Sequence, residues 1–200
     1  MLRFLVAPLA GVAVIAMAGA AQSAILVYTA SMTGANEVPT NASLATGFTT
    51  VTIDDALNTM GVDISFNGLT TPATAALIHC CVPAGTSGPV AVAVPAFPTV
   101  TSGSHFQLFD LTSLTTYTAA FVTNSGGTAA GAEATLLAAL SSGLAYSSLH
   151  DTLFPGGEIR GQLAGVSATA TVPEPGTWAL MVLGFGLLGA GLRSRRGAFA

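Results

Sequence analysis

The sequence predicts an all-β domain, mainly antiparallel and folded as a sandwich or barrel, with one short helix. Three observations carry that expectation. Short segments alternate apolar and polar residues, turn-forming clusters separate them, and the body is rich in Ala, Thr, Ser, Gly and Val. Charged residues make up 7% of the 200-residue chain, against roughly a quarter in ordinary soluble domains. That is too few to clothe long solvent-facing helices, which normally carry Glu and Lys.

Taken in order, residues 25–32 read as a first strand. Residues 48–53 and 59–66 read as a hairpin around Asp54-Asp55-Ala56-Leu57-Asn58. In the second arm Met60, Val62, Ile64 and Phe66 alternate with Thr59, Gly61, Asp63 and Ser65, the period of a strand with one wet face. Residues 73–80 and 89–94 are further strands, joined by Pro83-Ala84-Gly85-Thr86-Ser87-Gly88, and 105–111 is another. The expected helix covers 129–140, with Thr128 as its cap, Leu136, Leu137 and Leu140 as its apolar stripe and Gly143 as its stop. Strands resume at 144–150 and 159–166. A domain of this length, about 25–170, can bury a sizeable core without staples.

The two ends read as addresses. Residues 1–24 combine Arg3, an apolar stretch and the small residues Gly19-Ala20-Ala21-Gln22-Ser23-Ala24, the three parts of a secretory signal peptide. The other end, 171–200, runs from Pro173-Glu174-Pro175 through an uncharged apolar stretch, 177–192, to Arg193, Arg195 and Arg196. The stretch reads as a transmembrane helix, although at about 1.5 Å per residue it falls slightly short of a hydrocarbon core of about 30 Å. Arginines behind it suit the cytoplasmic side of the inner membrane and place the domain outside. Within the domain eight acids face a single base, Arg160. A body so charged repels phosphate backbones, which excludes nucleic acid as a partner.

Few residues invite chemistry. Glu158 and Arg160 are two apart and share a strand face. Arg160 reads as a structural hub bonded to an acid such as Glu37 or to carbonyls; the functional alternative is an arginine that takes an anionic ligand. Asn36 and Pro39 read as turn punctuation around Glu37, and Gly157 as part of a turn that permits positive φ. His79 and His150 read as satisfied structural histidines. The alternative is a metal-binding or redox module built from His79, Cys80, Cys81 and His150, with His105 as a further candidate ligand. The adjacent cysteines leave a vicinal disulfide, free thiols and metal ligation all open. No nucleophile elbow, phosphate loop or dinucleotide fingerprint is present. The expectation is a non-enzymatic protein without a cofactor; an unrecognised hydrolase is a third possibility.

Two resemblances sharpen this reading. The tail, with its Pro-Glu-Pro triplet, glycine-studded apolar run and arginine cluster, resembles the PEP-CTERM sorting signal of Gram-negative bacteria. That implies recognition by a membrane-embedded exosortase, cleavage near the triplet, and an exopolysaccharide or biofilm matrix, or another surface protein, as partner. Gly34-Ala35-Asn36-Glu37-Val38-Pro39, Phe66-Asn67-Gly68-Leu69, Ala75-Ala76-Leu77-Ile78-His79 with the Gly85-Thr86-Ser87-Gly88-Pro89-Val90 turn, and Ala145-Tyr146-Ser147-Ser148-Leu149-His150 followed by Phe154-Pro155-Gly156-Gly157-Glu158-Ile159-Arg160-Gly161-Gln162-Leu163 look like the CHRD domain first described in chordin. The family is extracellular, with no common enzymatic activity in bacteria. It often has a second histidine where this chain has Leu77, and Asn where it has Ser148. The region around His79 also resembles a strand of copper–zinc superoxide dismutases, which implies a Greek-key β-fold of that kind without its metal-ligand set. The resemblances together imply an exported protein, anchored in the inner membrane as a precursor, whose mature domain is periplasmic, at the cell surface or extracellular.

Overall fold

A computed structural model describes residues 25–166 and 181–186. The described residues 25–166 belong to one compact unit. Its strands are β1 (Ile25–Thr33), β2 (Thr46–Asp54), β3 (Thr59–Asn67), β4 (Ala73–His79), β5 (Val90–Ala93), β6 (Gly103–Asp110), β7 (Tyr146–Asp151), β8 (Ile159–Gln162) and β9 (Ala164–Val166). Two helices follow β6: α1 (Ala119–Asn124) and α2 (Ala129–Ser141).

All nine strands belong to one antiparallel sheet in the order β5-β4-β7-β8-β1-β2-β3-β6, with β9 also against β1. The sheet curls into a half-barrel rather than splitting into a two-sheet sandwich. The β1–β2–β3 meander is fully paired, each strand matching nine residues to the next. Asp54 sets its second turn, accepting the Ala56 and Leu57 amides, so the acids there are ordinary turn formers. Longer connections carry β4 away from β3, β6 back beside β3, and β7 beside β4.

The alternation read from the sequence sets the core. Met60, Val62 and Ile64 of β3 are fully buried, and Val51 and Ile53 of β2, Ile78, Leu149 and Ile159 pack with them. Each such side chain stabilises the fold by about 1.5–3 kcal/mol relative to exposure. The helices close the hollow side. In α2 the buried positions Ala132, Leu136, Ala139 and Leu140 follow helical spacing. Thr128 caps its start by accepting the Gly131 amide, and Gly143, at φ +67°, turns the chain out of it.

Within the domain one helix was expected, and two are present among its described residues. The additional one, α1, has only six residues and buries only Phe121, too short a stretch for a periodic signal. Two single-turn 3-10 segments, Gly34–Asn36 and Leu114–Thr116, add to it. The expected last strand, 159–166, is split at Leu163: β8 pairs mainly with β7, whereas β9 pairs with β1.

Residues 181–186 of the apolar tail are helical. No helix among the described residues is long and apolar enough to cross a membrane. The expected leader 1–24, the rest of the 177–192 stretch, and the residues Pro173, Glu174, Pro175, Arg193, Arg195 and Arg196 lie outside the described residues.

Candidate functional site

Strand pairing assembles the site. Thr33 of β1 opposes Arg160 of β8, Arg160 opposes Ser148 of β7, and Ser148 opposes Leu77 of β4. His79 opposes Tyr146 and Ala75 opposes His150 in the same way. Side chains two apart on a strand share a face, so Tyr146, Ser148 and His150 stand in one row. Beside them stand His79 and Arg160. The loop after β1 brings Glu37 to this face, and the 80–89 loop brings Thr86 and Gly88. The Ser87 hydroxyl ties the two loops together by donating to the Val38 carbonyl.

The result is a stack of planar groups. The Arg160 guanidinium carbon lies 3.8 Å from the centre of the Tyr146 ring, a cation–π distance. The His79 ring lies 4.5 Å from Tyr146 and 3° from parallel with it, and His150 follows 6.0 Å beyond His79. Arg160 donates to the Thr86 carbonyl at 2.6 Å. A carbonyl is thus its hydrogen-bonded partner, one of the two partner types left open by the sequence. Glu37 feels the Arg160 charge but takes its side-chain hydrogen bond from Ser148, at 3.2 Å. Burial pushes the Glu37 carboxyl above its ordinary value, and Ser148, Arg160 and the Val38 amide only partly offset that.

Both histidine Nδ1 atoms lie 2.9 Å from carbonyl oxygens, His79 from Gly88 and His150 from Pro155. Carbonyls only accept, so each Nδ1 carries a proton, and in the neutral form of either imidazole the lone pair is on Nε2. Those two Nε2 atoms are buried without a hydrogen-bond partner among the described residues. Burial is the main reason that His79 is held below the ordinary histidine range. The nearby His150 and Arg160 charges add to it, and the Gly88 bond opposes it.

This geometry does not support the metal-binding module. Nearly parallel rings aim in-plane lone pairs side by side rather than at one point. Cys80 and Cys81 are joined by a disulfide, which removes both thiolates as ligands. His105 is on β6 against the edge of Phe97. Among the described residues no group of three His, Cys, Asp or Glu side chains could hold a metal ion.

Two glycines fix the geometry. A Cβ on Gly157, at φ +124°, would sit 2.5 Å from the Glu37 carboxylate, so that carboxylate fills the space a side chain would need. A Cβ on Gly161 would meet the Ser31 carbonyl at 2.4 Å, so β8 can approach β1 only with glycine there. Asn36 is exposed in the 3-10 turn and reaches the Ser31 carbonyl at 3.5 Å. Pro39 follows a cis peptide bond. Asn36, Pro39, Glu37, Arg160, Gln162 and Ala84 are among the residues lining a cleft of about 520 Å³.

Glu158 belongs elsewhere. Although two residues from Arg160, it is fully buried at the end of the sheet. It accepts from Ser43 Oγ (2.6 Å), Thr70 Oγ1 (2.7 Å) and the Thr70 amide (2.9 Å). Asp151 lies alongside and hydrogen-bonds to it, while accepting from the Thr71 hydroxyl and amide and the Phe154 amide. Burial alone would raise the Asp151 carboxyl, but these bonds together hold it below its ordinary value. Sequence reasoning noted Tyr146 and Ser148 only as part of a family motif, without a role in the cluster, and missed Asp151. The Tyr-x-Ser-x-His spacing could have placed the first two beside His150; nothing local could have paired Asp151 with Thr71.

Comparison with known proteins gives two family matches. The CHRD domain model covers residues 28–163 and the PEP-CTERM protein-sorting motif covers residues 171–196. No curated protein and no solved structure matches the chain. The half-barrel that carries the stack and the cleft coincides with the first match, so the chain belongs to the CHRD-domain family, with a PEP-CTERM sorting motif behind the domain.

Proposed function

We propose that this protein is a non-enzymatic binding or structural component of the cell envelope. It is exported through its leader, held by its tail in the inner membrane as a precursor, and released near Pro173-Glu174-Pro175 by exosortase. The observation that carries the reading is the pairing of an extracellular-type β domain with a sorting motif immediately after it. Such a motif fits an exosortase-sorted extracellular protein. The mature domain then acts by binding or assembly in an exopolysaccharide-rich matrix, or against another surface protein.

The burial of the acids supports a non-catalytic role. A glycosidase needs two carboxylates facing one cleft. Here Glu158 is sealed under Thr70 and Ser43, while Ser148, a residue only 1% exposed, directs its hydroxyl at Glu37. The test is mass spectrometry of the protein from its own host, with and without alanine in place of Pro173, Glu174 and Pro175. A mature form lacking both ends, replaced by an uncut precursor in the variant, is expected. The same mature mass in both, or a full-length chain free in the cytosol, would overturn the reading.

A further inference from the structure

We infer that the cleft between the two loops is a binding site for a neutral saccharide, with Arg160 and Glu37 as its paired donor and acceptor. This deepens the proposed envelope role by naming a site and a ligand class, and it rests on that role only for where the ligand is met.

The cleft holds about 520 Å³, within the range of about 300–1,000 Å³ typical of small-molecule sites. One wall is the chain from Ala35 to Thr40, the other is Ala84 and Gly85, and Arg160 and Gln162 of β8 form its base. These parts are fixed before any ligand arrives. Arg160 is braced by the Tyr146 face and the Thr86 carbonyl. Glu37 is held by Ser148 and wedged against Gly157. The walls are tied to each other by the Ser87 hydrogen bond. Preorganisation of this kind lowers the entropic cost of binding.

The polar groups specify the ligand. A guanidinium carries five N–H donors, Thr86 takes one, and the group also lines the cleft. Glu37 supplies an acceptor, and Gln162, Asn36 and Thr40 can each both donate and accept. Adjacent sugar hydroxyls, each able to donate and accept, match such a set. Pro39 and Ala84 offer apolar surface for the C–H faces of a ring.

Charge decides between neutral and acidic sugars. One base and one acid in the cleft offset each other, and the rest of the domain carries seven acids and no further arginine or lysine. A uronate or sulfated unit would bring a further negative charge into that field.

Saturation-transfer NMR on the full chain in detergent micelles tests this, with galactose and cellobiose as neutral probes and galacturonate as the charged one. Saturable transfer to a neutral probe is expected, with galacturonate at least about tenfold weaker. Ala84→Trp, which fills the mouth without touching the hydrogen-bonding groups, should abolish the transfer while leaving circular dichroism and Tm unchanged. Thr40→Trp repeats the test from the opposite wall should the first variant misfold. No saturable transfer to either neutral probe, equal or tighter binding of galacturonate, or persistence of transfer in a folded cleft-filled variant would each overturn the proposal. None of these results bears on cleavage of the tail, so the sorting reading stands or falls separately.

Discussion

Two buried acidic clusters lie within this half-barrel, and they are built in opposite ways. Around Glu158 and Asp151 the donors converge: three hydroxyls and three amides bond to two carboxyls, and the cluster is closed. Around Glu37 the supply is thin. One serine hydroxyl, one backbone amide and a neighbouring arginine serve a buried carboxyl that lines an open cleft, and in the ring stack behind Arg160 two imidazole nitrogens lack partners among the described residues. A buried polar network that is fully satisfied stabilises and specifies a fold, whereas one left incomplete costs free energy unless something else uses it. The first cluster is structural, and the second is where a ligand would find unused hydrogen-bonding capacity.

The most severe way to break that comparison is Glu158→Ala. It strands the Ser43 and Thr70 donors and deprives Asp151 of a partner in a site with no solvent access, and should cost about 3–5 kcal/mol. Glu158→Gln keeps an acceptor for Thr70 and offers Asp151 a donor, so it should cost about 1 kcal/mol. Urea denaturation, read as a change in midpoint at constant slope, separates the two. Equal losses would mean that shape rather than hydrogen bonding holds the cluster.

Gly157→Ala tests the other cluster from its backbone. The new methyl would meet the Glu37 carboxylate, and the residue would be held at a φ that side chains rarely adopt. A loss of about 2–3 kcal/mol is expected. Gly85, also at positive φ but with open space around it, is the control; Gly85→Ala should cost about 1 kcal/mol from the backbone alone. The same measurement on both variants isolates the contribution of the Glu37 contact.

Much of the fold was legible because burial on one face of a strand writes itself into the sequence every second residue. Met60 to Phe66 shows it, and the structure places those side chains in the core. The α2 stripe and its stop at Gly143 were legible for the same reason, with a period of 3.6. The sites were less so. Glu158 and Arg160 look like one unit in sequence, being two apart, yet Glu158 precedes β8 and Arg160 lies within it, and they serve different clusters. Glu37 and Ser148 meet across 111 positions, through pairing of β7 with β8 and β8 with β1 that no local pattern announces. The adjacent cysteines could be listed as alternatives, but only three-dimensional placement decides between a disulfide and a ligand pair.

The smallest effect is the most discriminating, because pH moves the two clusters in opposite directions. Asp151 has a depressed folded-state value. Its contribution is present above its ordinary value of 3.8 and is lost as pH falls through the depressed one. Glu37 is raised. Its contribution is present below its ordinary value of 4.5 and is lost as pH rises through the elevated one. His79, lowered from 6.5, contributes above that value and loses its contribution as pH falls through its depressed value, which sets it against Glu37 within the same stack. Glu37→Gln removes the Glu37 contribution and leaves those of His79 and Asp151. The stability of the protein relative to this variant should therefore fall as pH rises from 4.5 towards neutrality, whereas relative to Asp151→Asn it should fall as the medium is acidified through the depressed Asp151 range. Chemical denaturation across that pH range checks both slopes. A Glu37→Gln difference that does not change with pH would mean that Glu37 titrates as an exposed carboxyl does, and that the cleft is wetter and less preorganised than its burial implies.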